Sequence, residues 1–431
     1  MRRLFLAFLA GSLAAISAVC CSCGSPQTPE QSEAASVSSS LEAVVSEAQE
    51  QWYEETMEQI ERDIYLHYAC TSVSTGDPSR FRRVFEKAEN GEEITVAYIG
   101  GSITEGYTVK PEECWAYLTH RWLCEKYPDA KINYVNAGLS GTPSTLGLIR
   151  SDRDVIAPYG DPDIVFVEFA VNDDSSAVTK EAYESLVRKM LDLDSAPAVS
   201  LIFMRTDNGY SCQDWQKEVG LLYGLPMISI NDGLTKAIED GYMTWADYSN
   251  DGAHPNPEGC KFVAEAVEYM FELLGDPKNT GEYSNKLSEY DHAYDVIPIY
   301  GDSFVNMHMA DAASLEPVSM GEYSVNEALA AFPNAWTRKG GENEGISFKM
   351  EFDDLFIVYH CNDSKRYGTA EVYIDGELKT EVVSSSSDGW SNPVPQLIAR
   401  GSGAKEHTVD IKLKGDGEKE YFGILAFGYT E

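Results

Sequence analysis

The chain has 431 residues, more than one ordinary hydrophobic core holds, so two domains with flanking segments are expected. With 43% hydrophobic and 11% aromatic residues it has the apolar material to fold over most of its length, which excludes wholesale disorder. A formal net charge of -37, from 70 acidic against 33 basic residues, disfavours nucleic acid and anionic lipid surfaces as partners, because both bind proteins through phosphate neutralisation.

At the N-terminus, Arg2 and Arg3 precede an uncharged, largely apolar stretch from Leu4 to Val19, short for a membrane span and followed by "CCSCGS". Residues 1–23 therefore read as an export leader. The cluster resembles a bacterial lipoprotein signal, with Cys20, Cys21 and Cys23 as candidate lipid acceptors; Ser22 precedes Cys23, whereas Cys20 follows Val19. That resemblance implies a protein held by lipid on the outer face of the cell membrane, or secreted. Residues 24–51, mostly Ser, Ala, Glu, Gln and Pro at first, cannot bury a core and read as a disordered tether. Beyond them Cys70, Cys114, Cys124, Cys212, Cys260 and Cys361 form no Cys-x-x-Cys pair and no zinc-type spacing, so no metal is expected.

Residues 52–280 are expected to form the first domain. In its lead-in, "WYEETMEQIERDIYLHY" from Trp52 to Tyr68, apolar and aromatic residues recur at helical spacing. Short β-branched runs then alternate with helical patterns: "ITVAYIG" from Ile94, "INYVNAG" from Ile132, "DIVFVEFA" from Asp163, "AVSLIFM" from Ala198 and "PMISIN" from Pro226. The alternation predicts an α/β fold with a mainly parallel sheet covered on both faces. Ligands of such sheets sit beyond the carboxyl ends of the strands. Residues 293–431 are expected to form a C-terminal antiparallel, jelly-roll-like β-sandwich. There "ISFKMEF" puts Ile346, Phe348, Met350 and Phe352 on one face, "HTVDIKL" does the same with Val409, Ile411 and Leu413, and Asp375-Gly376 marks a hairpin.

Chemistry-bearing residues fall at the strand ends. Ser102, in "IGGSITEG", follows the first apolar run; alone, Gly-Gly-Ser is an ordinary turn. In "NAGLSGTPS" from Asn136, Gly138 and Gly141 allow backbone shapes that can aim an amide hydrogen into a crevice. Asn172, closing "VEFAVN", can donate to a developing oxyanion, or simply cap a turn. Asp251 and His254, in "NDGAHPN", supply a base and an acid that fixes its tautomer. The order of the four blocks is far more specific than any one of them.

Together they resemble the SGNH hydrolases, also called the GDSL family, over about Ile94 to Leu274. The resemblance implies a three-layer α/β/α, flavodoxin-like domain in which Ser102 is the nucleophile, His254 the base and acid, and Asp251 its orienting partner. The oxyanion hole would comprise the amides of Ser102 and Gly141 and the side chain of Asn172. Two blocks depart from the family pattern: Gly-Asp-Ser is Gly-Gly-Ser here, and Gly-x-Asn-Asp reads Ala170-Val171-Asn172-Asp173. "GGSIT" is similar to a pattern among exported bacterial members, many of which look like carbohydrate esterases. A literal Gly-Asp-Ser occurs in "YGDSF" at Tyr300–Phe304, but it follows His254 and has no Asn block or Asp-x-x-His after it.

The implied reaction is hydrolysis of O-acyl, chiefly O-acetyl, esters on an extracellular polysaccharide or oligosaccharide, through an acyl-enzyme and without a cofactor. The competing readings are a lipase, lysophospholipase or thioesterase of the same family, and a catalytically idle surface glycan-binding protein. Trp336, Tyr359, Tyr367 and Trp390 are candidates for a sugar-stacking face on the sandwich, with core packing as the rival assignment.

Overall fold

The computed structural model describes residue 51 and residues 66–279, 293–340, 344–414 and 421–431. The leader, the tether and most of the lead-in helix lie outside the described residues, though residues 66–71 are helical. Leu66–Glu431 form one unit.

Its first half is a six-stranded sheet of β1 (Ser72–Ser74), β2 (Ile94–Gly100), β3 (Ile132–Gly138), β4 (Ile164–Glu168), β5 (Ala198–Phe203) and β6 (Met227–Ser229), in the order β1-β6-β5-β4-β2-β3. β2 to β6 run parallel, and β1 adds an antiparallel edge to β6. The five expected runs all form strands. β2, β4, β5 and β6 are buried throughout because each lies between two cores, with Ile94, Val96 and Tyr98 facing one and Ala97 and Ile99 the other, whereas the edge strand β3 alternates. The first core is closed by α1 (Ser79–Glu89), α3 (Trp115–Lys126), α7 (Ile230–Glu239) and α9 (Pro257–Gly275). The second is closed by α4 (Ser144–Ser151), α5 (Ala177–Leu191) and α6 (Gln213–Leu222). Two one-turn helices, α2 (Ser102–Glu105) and α8 (Trp245–Tyr248), lie in the loops.

Counting from β2, the parallel strands have the order 2-1-3-4-5 of flavodoxin-like sheets. The chain leaves β2 to one side for β3 and returns to the other side for β4. A crevice opens where the connections part, beyond the ends of β2 and β4, and Ser102 and Asn172 follow these two strands.

The second half is a sandwich of antiparallel sheets. One contains β10 (Ile346–Phe352), β12 (Thr369–Ile374), β13 (Glu377–Val383) and β15 (Lys405–Leu413), in the order β10-β15-β12-β13. The other contains β8 (Tyr323–Asn326), β9 (Ala335–Lys339), β11 (Leu355–Asn362), β14 (Trp390–Ala399) and β16 (Tyr421–Tyr429), in the order β14-β11-β16-β9-β8, with β7 (His308–Ala310) also pairing β16. β10 alternates as its pattern predicts, burying Ile346, Phe348, Met350 and Phe352. The β12–β13 turn is the expected two-residue hairpin, with φ of 52° at Asp375 and 80° at Gly376.

β11 and β16 break the alternation because both their faces are covered. Leu355, Ile357, Tyr359 and Cys361 enter the sandwich core, while Phe356 and Val358 join the core beneath the parallel sheet. Ile424 and Phe427 face the sandwich, and Leu425 and Ala426 the α/β side. Of the four aromatics proposed to stack on sugar, Trp336 and Tyr359 are interior and Tyr367 packs against His360 and Tyr421; Trp390 alone is largely exposed.

Candidate active site

Ser102 opens α2 directly after β2, at 8% exposure. The turn before it has no room for side chains. A Cβ on Gly100 would stand 2.2 Å from Thr104 Oγ1, and one on Gly101 would stand 2.1 Å from Asn172 Oδ1. Gly106, at φ 82°, ends the helix in the left-handed conformation that glycine adopts without strain.

Ser102 Oγ lies 2.9 Å from His254 Nε2, and His254 Nδ1 lies 2.8 Å from Asp251 Oδ2. The loop carrying these two residues is fixed from several sides. Ser249 Oγ donates to the His254 carbonyl at 2.6 Å, Trp245 Nε1 to the Asp251 carbonyl at 2.6 Å, and Thr108 Oγ1 to the Pro255 carbonyl at 2.9 Å. Asn256 then caps α9, its Oδ1 accepting the amides of Glu258 and Gly259 at 3.0 Å. Burial alone would raise the Asp251 pKa. The amides of Ala253 and His254, donating to Oδ1, and the imidazole outweigh it and hold the carboxyl at about 2. With Asp251 ionised, the arrangement can hold a proton on Nδ1 and leave Nε2 able to accept one from a hydroxyl at Ser102.

The residues expected to hold an oxyanion lie on the loops around the same serine turn. The Asn172 amide group lies against Gly101, with its Oδ1 buried and unpartnered. Gly141, at φ 67°, follows a loop tied to the serine turn: Leu139 N donates to the Gly100 carbonyl at 3.1 Å, and Ser140 N to Glu105 Oε2 at 2.8 Å. The amides of Ser102 and Gly141 take no backbone acceptor among the described residues. Ser102, Asn172, Asp251 and His254 are therefore brought together, and Gly141 follows a loop tied to the same turn.

Several residues that sequence reasoning missed support this group. Asp173, next to Asn172, turns inward; its Oδ1 accepts the Ser144 amide at 2.7 Å and its Oδ2 accepts from Gln216 at 2.9 Å, anchoring α4 behind the Gly141 loop. Burial pushes its pKa up to about 7 against the pull of these donors. The buried Arg150 donates to the carbonyls of Ala137, at 2.7 Å, and Gly100, at 3.0 Å, tying the ends of β3 and β2. Glu168, fully buried at the end of β4, accepts from Thr104 Oγ1 at 2.8 Å. A charged residue inside an apolar strand run was the available signal for Glu168.

The rim is aromatic. Tyr107, 66% exposed, holds its ring centroid 5.3 Å from that of His254. Trp390, on the sandwich, reaches the Gly141 loop: a Cβ on Gly141 would meet its Cζ2 at 2.5 Å. The rival Ser303 sits elsewhere, in a strap along α5. Glu184 accepts the amides of Ile299 at 3.0 Å and Tyr300 at 2.6 Å, Arg188 pairs with Asp302 at 3.1 Å, and Ser303 Oγ faces Arg400.

Residues 98–262 match the model of the GDSL-like Lipase/Acylhydrolase family. No curated protein sequence matches the chain. Among solved structures, the crystal structure of a two-domain esterase active on acetylated mannans is similar, with a TM-score of 0.75, 25% identity, and coverage of 84% of this chain and 99% of that one. The same description, of a form co-crystallised with mannopentaose, fits a second, at a TM-score of 0.74, 24% identity, and coverage of 84% and 98%. The α/β and sandwich halves thus recur together in a known two-domain architecture.

Proposed function

We infer that this chain, an ester-hydrolysing enzyme with a GDSL-like hydrolase domain over residues 98–262, removes O-acetyl groups from an extracellular carbohydrate through Ser102, His254 and Asp251. The observation that carries the reading is the continuous line from Ser102 Oγ to His254 Nε2 at 2.9 Å and from His254 Nδ1 to Asp251 at 2.8 Å. Ser102 Oγ attacks the ester carbonyl as His254 takes its proton. The oxyanion is held by the amides of Ser102 and Gly141 and by the Asn172 side chain, each aimed at charge that exists only in the transition state. His254 passes the proton to the departing sugar hydroxyl, and water, activated by the same imidazole, releases acetate from Ser102.

Similarity to an esterase active on acetylated mannans supports a glycan substrate, and the aromatic rim of Tyr107 and Trp390 suits the apolar faces of sugar rings. Acetylated mannan is the first candidate. The leader and the Cys20–Cys23 cluster support a lipid-anchored enzyme on the outer cell surface. Acetate release from acetylated mannan, xylan and small acetyl esters, measured for the wild type beside Ser102→Ala, tests the reading. Release by the wild type alone is expected, and equal release by both would remove Ser102 from the mechanism. Replacing Cys20, Cys21 and Cys23 together should shift the enzyme from the membrane fraction to the medium.

A further inference from the structure

We propose that Glu168 is a positioning residue for the nucleophile: from the end of β4 its carboxyl group braces the turn and short helix that present Ser102, in place of the aspartate the first block lacks. The inference rests on the reading of Ser102 as the nucleophile. Glu168 pairs in register with Gly100, so its side chain emerges beside the serine turn. Its Oε2 accepts from Thr104 Oγ1 at 2.8 Å. Thr104, two residues past Ser102 and fully buried, is a junction, because its carbonyl accepts from Asn136 Nδ2 at 2.8 Å and Cys114 Sγ at 3.4 Å. Glu168 therefore grips a residue of α2 that is also tied to β3 and to Cys114, the residue ahead of α3, while the Ile103 carbonyl beside it accepts from Trp115 Nε1 of α3 at 3.2 Å.

The glycines explain why the carboxylate comes from below. Any Cβ at position 101 would stand 2.1 Å from Asn172 Oδ1, so an aspartate there would displace the oxyanion amide. On Gly100, a Cβ would stand 2.2 Å from Thr104 Oγ1 and 2.6 Å from the Glu168 carbonyl. With both turn positions closed to side chains, the carboxyl group that reaches Thr104 comes from β4. Glu168 Oε1, moreover, is buried with no partner. A half-satisfied buried carboxyl costs stability, so its presence is poorly explained by folding alone.

Burial pushes the Glu168 pKa up to about 8; the Thr104 hydroxyl and the amides of Gly101 and Thr104 oppose this, and Asp173 adds to it. The other titratable groups that feel Glu168 are Tyr183, Tyr248 and Cys114. Below that pH Glu168 is a neutral acid that still accepts from Thr104. Above it, a second negative charge forms under the oxyanion hole and opposes the charge that develops there.

The test uses the full chain and compares Glu168→Ala, Glu168→Gln, Thr104→Val and Ser102→Ala on a soluble acetyl ester across the pH range around Glu168. Glu168→Ala is expected to lower kcat about 100-fold while KM stays within about threefold, as for a misplaced nucleophile. Glu168→Gln keeps an acceptor for Thr104, so it should recover kcat to within about fivefold at neutral pH, and it should lack the wild-type decline on the alkaline side. Thr104→Val should match Glu168→Ala and add little to it in the double variant. If Glu168→Ala does not fold, Thr104→Val decides. A folded Glu168→Ala or Thr104→Val with wild-type kcat, or activity lost only in step with the folded fraction on thermal unfolding, overturns the proposal. Should Ser102→Ala remain active, the nucleophile assignment and this inference fall together; an inert Ser102→Ala beside a fully active Glu168→Ala defeats this inference alone.

Discussion

In the proposed mechanism Asp251 acts by staying charged, and its charge is secured by backbone rather than by burial, since its side chain is 44% exposed. Its pKa, held near 2, lies below the value of about 3.9 expected in the unfolded chain. The stability this contributes is present above the unfolded value and is lost as pH falls through about 4 towards 2. Asp251→Asn keeps an acceptor for the amides of Ala253 and His254 but cannot stabilise a protonated imidazole. It should fold normally and lose about 100- to 10,000-fold in kcat on an acetyl ester. Gly101→Ala attacks the same site through space, because its Cβ must push the Asn172 amide aside; a kcat loss of about 100-fold with little change in melting temperature is expected. Ser102, Asn172, Asp251 and His254 could be found in the sequence because each needs a distinctive loop after a strand or before a helix. Glu168 stands out only as a charge in an apolar run; that it meets Thr104 could not be read, since the meeting depends on β4 lying beside β2 with Gly100 opposite Glu168, a pairing that neither local stretch encodes.

Strands buried on both faces, or alternating cleanly, write their environment into the sequence, which is why β2 to β6, β10 and β15 were legible before the fold was known. Short edge pieces such as β1 and β7 have three residues each and follow from tertiary pairing, with no pattern of their own to read. Helix ends carry local signals with a measurable value. Ser176 caps α5 by accepting the Thr179 amide at 3.2 Å, and Ser176→Ala should cost about 1 kcal/mol in denaturant unfolding while leaving kcat unchanged. In β11, His360 sits at 4% exposure between Tyr421, 3.0 Å from its Nδ1, and Ser391, 2.8 Å from its Nε2, and burial lowers its pKa to about 4. The unfolded chain, with a value near 6.5, binds this proton first, so the contribution is fully present above about 6.5 and is lost as pH falls towards 4. Thermal melts over that window should decline less steeply for His360→Gln than for the wild type.

The two halves are joined more deeply than their separate sequence grammars indicate. Phe356 and Val358 of β11 complete a core that includes Val165, Val167 and Leu186 of the α/β half. Glu181 and Glu184 on α5 take the amides of the 299–303 strap, and Glu181 also pairs with Arg400. Deleting residues 293–431 would therefore expose that apolar face and leave buried acids without donors, and the fragment should be insoluble or molten. A point substitution separates binding from folding better. Trp390 is 57% exposed on β14, so its removal opens no core, but its ring lies against Gly141 on the loop after β3. A small acetyl ester ends near Ser102 and has nothing to lay on the indole, whereas a glycan chain extending past the reacting acetyl group does. Losing one aromatic stacking contact, about 1 to 1.5 kcal/mol, corresponds to roughly tenfold in affinity. Trp390→Ala is thus expected to lower kcat/KM on acetylated mannan about tenfold through KM, while kcat/KM on a small acetyl ester stays within about twofold. Equal losses on both substrates would instead assign Trp390 to supporting the Gly141 loop, and unchanged values on both would place the sugar chain on the opposite side of the crevice, along Tyr107.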